Sequence, residues 1–489
     1  MNRRLLGDVF WSGLEAVSAA LLSFASAFVV ARLIGPSEVG IAAAAVALHV
    51  LLWIAVNALF ADAIVQRASL DDTALASAFW GSVLVGAAAG LLQLACGPLL
   101  GRVMADGRLP AMAMLLALPL PLVGAGGAMQ GVLTRRRDYR ALAGRTLIGQ
   151  GLGTVTGITA ALLGAGAWAL VLQQAVNSGA GALALLLRAR AWPAATPRWA
   201  AARELLVLGL PLTASTLVQF SRYRLFALLI GATAGAAPLG EVHMAFRLVD
   251  TVRELTFTAL WRLMLPVMSV RQHDLPGLRA LQDRCLGLGA PVVLPMLGAM
   301  AVVVMPLTRW VLGPAWAASG IAALPLIGLT AWLFLWFPAG VALVARGKPR
   351  PALIANSAAV LAMLAGVAMM RPSSPSAAMA VWVAAQLVTS PYTIWQTARV
   401  LGIAPIRPVV AGGPAMIVTA IAVAAATALP RLYGLTGEGP GLMAVRLAIG
   451  APICLGGAAL CLLRWGVLRR SGVAGRIVTA AVRPIDTPQ

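Results

Sequence analysis

From Val9 to Leu463 the chain is a succession of apolar runs of about 20 residues with little between them. A helix of that length crosses the hydrocarbon layer of a bilayer, and a chain built of such runs lacks the polar surface that a water-soluble domain needs. Length alone would allow two or three soluble domains, but composition overrides it: 60% of the 489 residues are hydrophobic and 11% charged, and mean hydropathy is +0.89. The chain reads as an all-α polytopic membrane protein.

Net charge is +21, which in a soluble protein would point to nucleic acid. Here the basic residues, all arginine except Lys348, fall in the short breaks between apolar runs and read as topology signals, so no nucleic-acid partner is expected. Cys96, Cys285, Cys454 and Cys461 form no CxxC pair, and the three histidines form no HExxH; neither a metal site, a cofactor site nor a disulfide framework is expected. The amino-terminal MNRRLLGDVFW, followed by Ala25-Ser26-Ala27, has features of a signal peptide. The apolar run continues to Ile34, so it reads as a retained first helix.

Glycine, proline and charge divide the chain into about fourteen spans: roughly 11–34, 39–60, 74–100, 110–131, 143–164, 166–187, 205–231, 240–266, 285–308, 317–345, 351–370, 376–398, 409–429 and 442–463. With the amino terminus inside, the cytoplasmic breaks hold 25 of the 37 basic residues, among them those of TRRRDYRALAGR (134–145) and ARGKPR (345–350). The opposite side holds 7, and 5 lie within spans. That asymmetry places both termini in the cytoplasm.

An internal repeat follows. ARLIG (31–35) leads through Gly40 into span two, and ALLIG (227–231) leads through Gly240 into span eight. GVLTRRRDYRALAGR (131–145) is echoed by GVALVARGKPRPALI (340–354). The offsets, 196 and 209, predict two pseudo-symmetric six-helix lobes, residues 1–190 and 205–402, joined by a cytoplasmic linker, 191–204. Two additional helices (403–465) and a cytoplasmic tail (466–489) complete the expected layout.

One span is exceptional. EVHMAFRLVDTVRE (241–254) holds six ionisable residues in fourteen. At about 100° per residue, His243, Arg247, Asp250 and Glu254 fall within roughly 60° of one another, and Phe257 and Trp261 continue the stripe. A charge at the bilayer centre costs about 2.5–3.5 kcal/mol on insertion scales, so the stripe is expected to face a hydrated cavity rather than lipid. The alternative is an amphipathic helix lying at the interface. Arg253 lies beside the stripe. On span seven Ser215, Gln219 and Arg222 share a face, whereas Arg224 is turned away by about 200° and has snorkelling as its bland reading. Span one carries Glu15, Ser18, Ser26 and Arg32 along one stripe, with Glu15 equally readable as a solvated helix start. His49, mid-span two, is either a packed, hydrogen-bonded histidine or a proton carrier.

Several stretches resemble the polysaccharide-transport branch of the multidrug/oligosaccharidyl-lipid/polysaccharide exporter superfamily, the Wzx-type flippases. They are ARLIGPSEVG (31–40), ADAIVQRASL (61–70), GVLTRRRDYRALAGRTLIGQGLGTVTGITAALLGAGAWALVLQQAV (131–176), LGLP (208–211), the start of span eight from Gly240 to Val249, and LGPAW (312–316). The resemblance implies two six-helix lobes, two further helices, no catalytic residue, and residence in a bacterial cytoplasmic (inner) membrane. It implies alternating-access movement of a polyprenyl-diphosphate-linked oligosaccharide from the inner to the outer leaflet, with polysaccharide polymerase and export machinery as partners. By position it gives the diphosphate and acidic sugars to Arg222 and Arg247, with Arg32, Arg224 and Arg253 as further cations. Glu15, His49, His243, Asp250 and Glu254 are left for coupling or charge balance. Where many relatives carry an acid or Asn on span seven, this chain has SRYRLF (221–226). Two rival readings are a multidrug exporter of the same fold, which would want an acidic, aromatic cavity, and a membrane polysaccharide polymerase or ligase, which would want a larger outer loop.

Overall fold

The computed structural model describes residues 3–464 apart from 68, 190–192, 194, 349 and 434–439. The tail at 466–489, part of the linker, and Glu438, expected in the last outer break, lie outside the described residues.

Among the described residues eleven helical stretches are long and apolar enough to cross a membrane. The first contains a break. Helix α1 (Arg3–Gln66) is interrupted at Gly35, whose φ of 81° and ψ of 170° leave helical space, and Pro36 then starts the second segment. The more polar α5 (Tyr139–Leu162), and the column of α8 (Ala236–Arg253) and α9 (Ala259–Val270), bring the crossings to fourteen. The others are α2 (Asp72–Met104), α3 (Leu109–Ala117) with α4 (Leu120–Arg135), α6 (Trp168–Ala189), α7 (Trp199–Ala234), α10 (Leu275–Leu307), α11 (Ala317–Ala345), α12 (Arg350–Met370), α13 (Pro375–Leu401), α14 (Arg407–Leu432) and α15 (Pro440–Arg464).

Boundaries moved where local chemistry decides them. Span four is two helices because Pro119 and Pro121 withhold backbone donors at the joint. Span nine starts ten residues early: Asp274 caps α10, accepting a 2.9 Å bond from the Gly277 amide, and Pro276 sits in the first turn. Span eight is broken by a π-helical turn, Glu254–Thr258.

The chain divides into two compact units. One holds residues up to His243 plus Arg371–Ser374, and the other runs from Met244 without those four. Helix α7 packs along α1 and α2 within the first unit. In that unit Leu59, Phe60, Ile64, Phe79, Met129, Leu133, Leu185 and Leu205 form one buried cluster. In the second, Met264, Met268, Leu278, Leu281, Val341, Leu401 and Ile403 form another. With lipid as the solvent, such packing is held by close contact rather than by expulsion of water.

The repeat has structural counterparts. Gly235 (φ 89°) breaks the α7–α8 joint as Gly35 breaks α1. Just beyond each, the helices meet reciprocally: a Cβ on Gly40 would lie 1.8 Å from the Ala236 carbonyl oxygen, and one on Gly240 would lie 1.9 Å from that of Pro36. Only glycine fits either side of this crossing. The basic turns match as well. Arg136 donates to the Ala189 carbonyl at the end of α6 (3.4 Å), and Arg346 donates to the Val400 carbonyl near the end of α13 (2.6 Å). Each arginine thus caps a helix carboxyl terminus, where a cation also suits the dipole.

Candidate functional site

On α7 and α8 the expected cations are placed as follows. Arg222 and Arg224 are both half-buried, and the Arg224 guanidinium lies 5.1 Å from the centre of the Tyr223 ring. The Tyr223 hydroxyl is 2.6 Å from His243 Nδ1, tying the two helices together. Arg247 is half-buried one turn beyond His243. Arg253 pairs with Asp250, 2.9 Å apart and one turn separated, so an arginine set beside the stripe reaches an acid within it. Glu254 is exposed and opens the π turn. Phe257 and Trp261, the apolar end of the stripe, pack on Phe337 of α11 at 5.0 and 6.2 Å between ring centres.

Span one behaves differently from its wheel. Glu15 accepts a 2.6 Å bond from the Thr146 hydroxyl of α5, and Ser26 donates to Gln173 of α6 at 3.0 Å. Arg32, just before the Gly35 break, is exposed. His49 is fully buried with Nε2 3.1 Å from Ser178 Oγ, which also accepts from Gln174 at 3.2 Å.

Three of these residues, Thr146, Gln174 and Ser178, belong to the wall of a cavity that sequence reasoning did not find. It holds about 350 Å³ and lies wholly inside the first unit, between α1, α4, α5 and α6. Trp53, Asn57, Arg145, Gln150, Gln174 and Asn177 line it. Arg145, counted from the sequence with the cytoplasmic basic residues although span five begins at 143, lies in α5, two turns inside its amino-terminal end. Its guanidinium donates to Gln130 Oε1, which also accepts from Asn57 Nδ2 at 3.2 Å, and it lies 5.7 Å from the Trp53 ring centre. A signal existed: RTLIGQ (145–150) places Arg145 and Gln150 on the same helix as Thr146, within an otherwise small and apolar segment.

At the opposite end of the unit, three turns are clasped. Arg108 forks onto both Glu38 oxygens at 2.9 Å and onto Asp106 at 2.8 Å, and Glu38 also accepts the Ala167 amide at 2.6 Å. The Arg108 bonds hold the Asp106 carboxyl below its ordinary range, and the two acids raise the Arg108 guanidinium above its own.

Among the described residues every regular element is helical, and fourteen crossings with an internal repeat and polar side chains gathered within the helical units make a polytopic membrane protein. Comparison with known proteins gives the particular kind. The chain belongs to the polysaccharide biosynthesis protein family, which it matches over residues 29–320. The succinoglycan biosynthesis transport protein ExoT of Rhizobium meliloti (strain 1021) is 23% identical over 346 residues, 70% of this chain; the match spans just under two thirds, 66%, of that relative. The fold is that of the lipid II flippase MurJ in an inward closed conformation, with a TM-score of 0.76 at 12% identity over 94% of this chain and 99% of that one. An inward-facing multidrug resistance transporter of the MATE family, of the MOP superfamily, follows at 0.57 and 14%, covering 80% and 95%. The resemblance to polysaccharide-transport proteins read from the motifs is borne out by that family match, and the fold agrees with it.

Proposed function

We propose that this protein moves a polyprenyl-diphosphate-linked oligosaccharide from the inner to the outer leaflet of a bacterial cytoplasmic membrane by alternating access, with both termini in the cytoplasm. The observation that carries the reading is coverage. The flippase fold accounts for 94% of the chain, whereas the multidrug fold accounts for 80%, roughly what remains once the two extra helices and the tail are set aside. Family membership and the likeness to a succinoglycan transport protein support the same substrate class.

The physical problem is desolvation. A diphosphate and its glycan cannot shed their hydration shell in hydrocarbon, while the polyprenyl tail remains at ease there. On this reading a hydrated path lined by polar side chains lowers that cost. Arg222 and Arg247 replace water around the diphosphate, with Arg32, Arg224 and Arg253 adding positive field. Asp250, Glu254, His243, Glu15 and His49 temper that field or carry a coupling proton, so that binding stays weak enough for release. The test follows lipid-linked oligosaccharide in a strain lacking the gene and any redundant flippase. It should accumulate on the cytoplasmic leaflet while the glycosyltransferases stay active; normal delivery to the outer leaflet would refute the proposal.

A further inference from the structure

The cavity inside the first unit has a lining with its own chemistry, separate from the α7–α8 stripe. We propose that it is a saccharide subsite, receiving a sugar that bears a carboxylate or phosphate substituent, with Arg145 as the anion ligand. The inference rests on the flippase reading and deepens it.

Size comes first: about 350 Å³ falls within the range of small-molecule sites, roughly 300–1,000 Å³. The lining then sorts ligand classes. Asn57, Gln150, Gln174 and Asn177 each carry both donors and acceptors, which is what a ring of hydroxyl groups requires and an apolar ligand cannot satisfy. Arg145 sets the sign of the charge. Its acceptor among the described residues is the neutral Gln130, so its remaining donors are left for a ligand or for water. The acid whose charge acts on it, Glu15, is engaged by the Thr146 hydroxyl rather than by the guanidinium. Trp53 lies against the guanidinium, fixing its plane beside the amides. An organic cation is repelled by this arrangement, and a neutral sugar leaves the arginine unmatched. An acidic sugar answers both the fork and the amides. The surrounding bonds, His49 to Ser178 to Gln174 and Asn57 to Gln130, hold the walls in place before any ligand arrives.

The experiment is saturation-transfer NMR on the full chain in lipid nanodiscs, with glucuronate, glucose 1-phosphate, glucose and inorganic phosphate as probes. At least one acidic sugar should bind, and which of the two does so identifies the substituent. Arg145→Gln should weaken that binding about tenfold or more, the loss expected when a charge-assisted bond is removed. Asn177→Asp, which sets a carboxylate in the lining, should expel the same probe, keeping the test alive if the arginine variant does not fold. Unchanged affinity in the variants, or no contact from either acidic sugar, would overturn the proposal. So would inorganic phosphate binding as tightly as the sugar. A soluble probe needs neither lipid carrier nor transport, so a negative result here leaves the leaflet assay standing, and the converse holds.

Discussion

Arginine fills several structural roles in this chain, and only geometry separates them. Arg136 and Arg346 cap helices, Arg108 clasps helix-end segments, Arg253 answers a neighbouring acid, and Arg145 lines a cavity. Substitution of Arg222 or Arg247 by alanine is expected to impair export severely with membrane insertion intact, read as surface polysaccharide against protein level. Lysine at either position should restore part of it, keeping the charge but losing the bidentate fork. The clasp gives a pH test. Because the folded Asp106 carboxyl titrates below its ordinary 3.8, its contribution to stability is full above that value and is lost as pH falls through the folded value. Asp106→Asn should therefore cost about 1 kcal/mol or less at neutral pH, and its difference from the native melting temperature should shrink below pH 3.8.

At the scale of helices, the Gly40–Gly240 crossing is the sharpest constraint. A methyl group at either position meets a carbonyl oxygen at under 2 Å, so Gly40→Ala or Gly240→Ala should separate the helices and cost about 1–3 kcal/mol or more, read as lower thermal stability in detergent. Gly413→Ala is the control, since nothing lies within 4 Å of the added carbon. How much of this the sequence disclosed follows from the range over which each signal acts. Helices of twenty apolar residues announce themselves, and ARLIG ends on the Gly35 break, because hydropathy and backbone freedom are local properties; ALLIG stops at Gly231, one turn short of the break at Gly235. The π turn at Glu254–Thr258 has no local signature. The bonds at the cavity wall join residues such as Asn57 and Gln130, or His49 and Ser178, more than 70 positions apart. No periodicity within one helix can bring them together. Arg145 was not singled out for a related reason: near a helix end, a residue lining a cavity and one in the adjoining turn share the same flanking sequence.

Across the whole molecule the expectation is sidedness. Cysteines placed at Arg136 and Lys348 in a variant freed of its four native cysteines should resist an impermeant thiol reagent in intact cells, while one at Arg371 should react. Reaction at position 136 without reaction at 371 would invert the topology. The fall of α5 and of the α8–α9 column outside the eleven self-sufficient apolar stretches has a consequence for how the chain is made. A helix carrying Arg145, or one carrying His243, Arg247, Asp250 and Arg253, partitions poorly from the translocon into lipid when it emerges alone. Each has to leave the channel in company: α5 with α6, against which it packs along its length, and α8 against the already inserted α7, to which Tyr223 and His243 bind it. The polar groups that give this protein its working interior therefore also dictate an order of assembly during synthesis, in which the most polar helices insert as pairs.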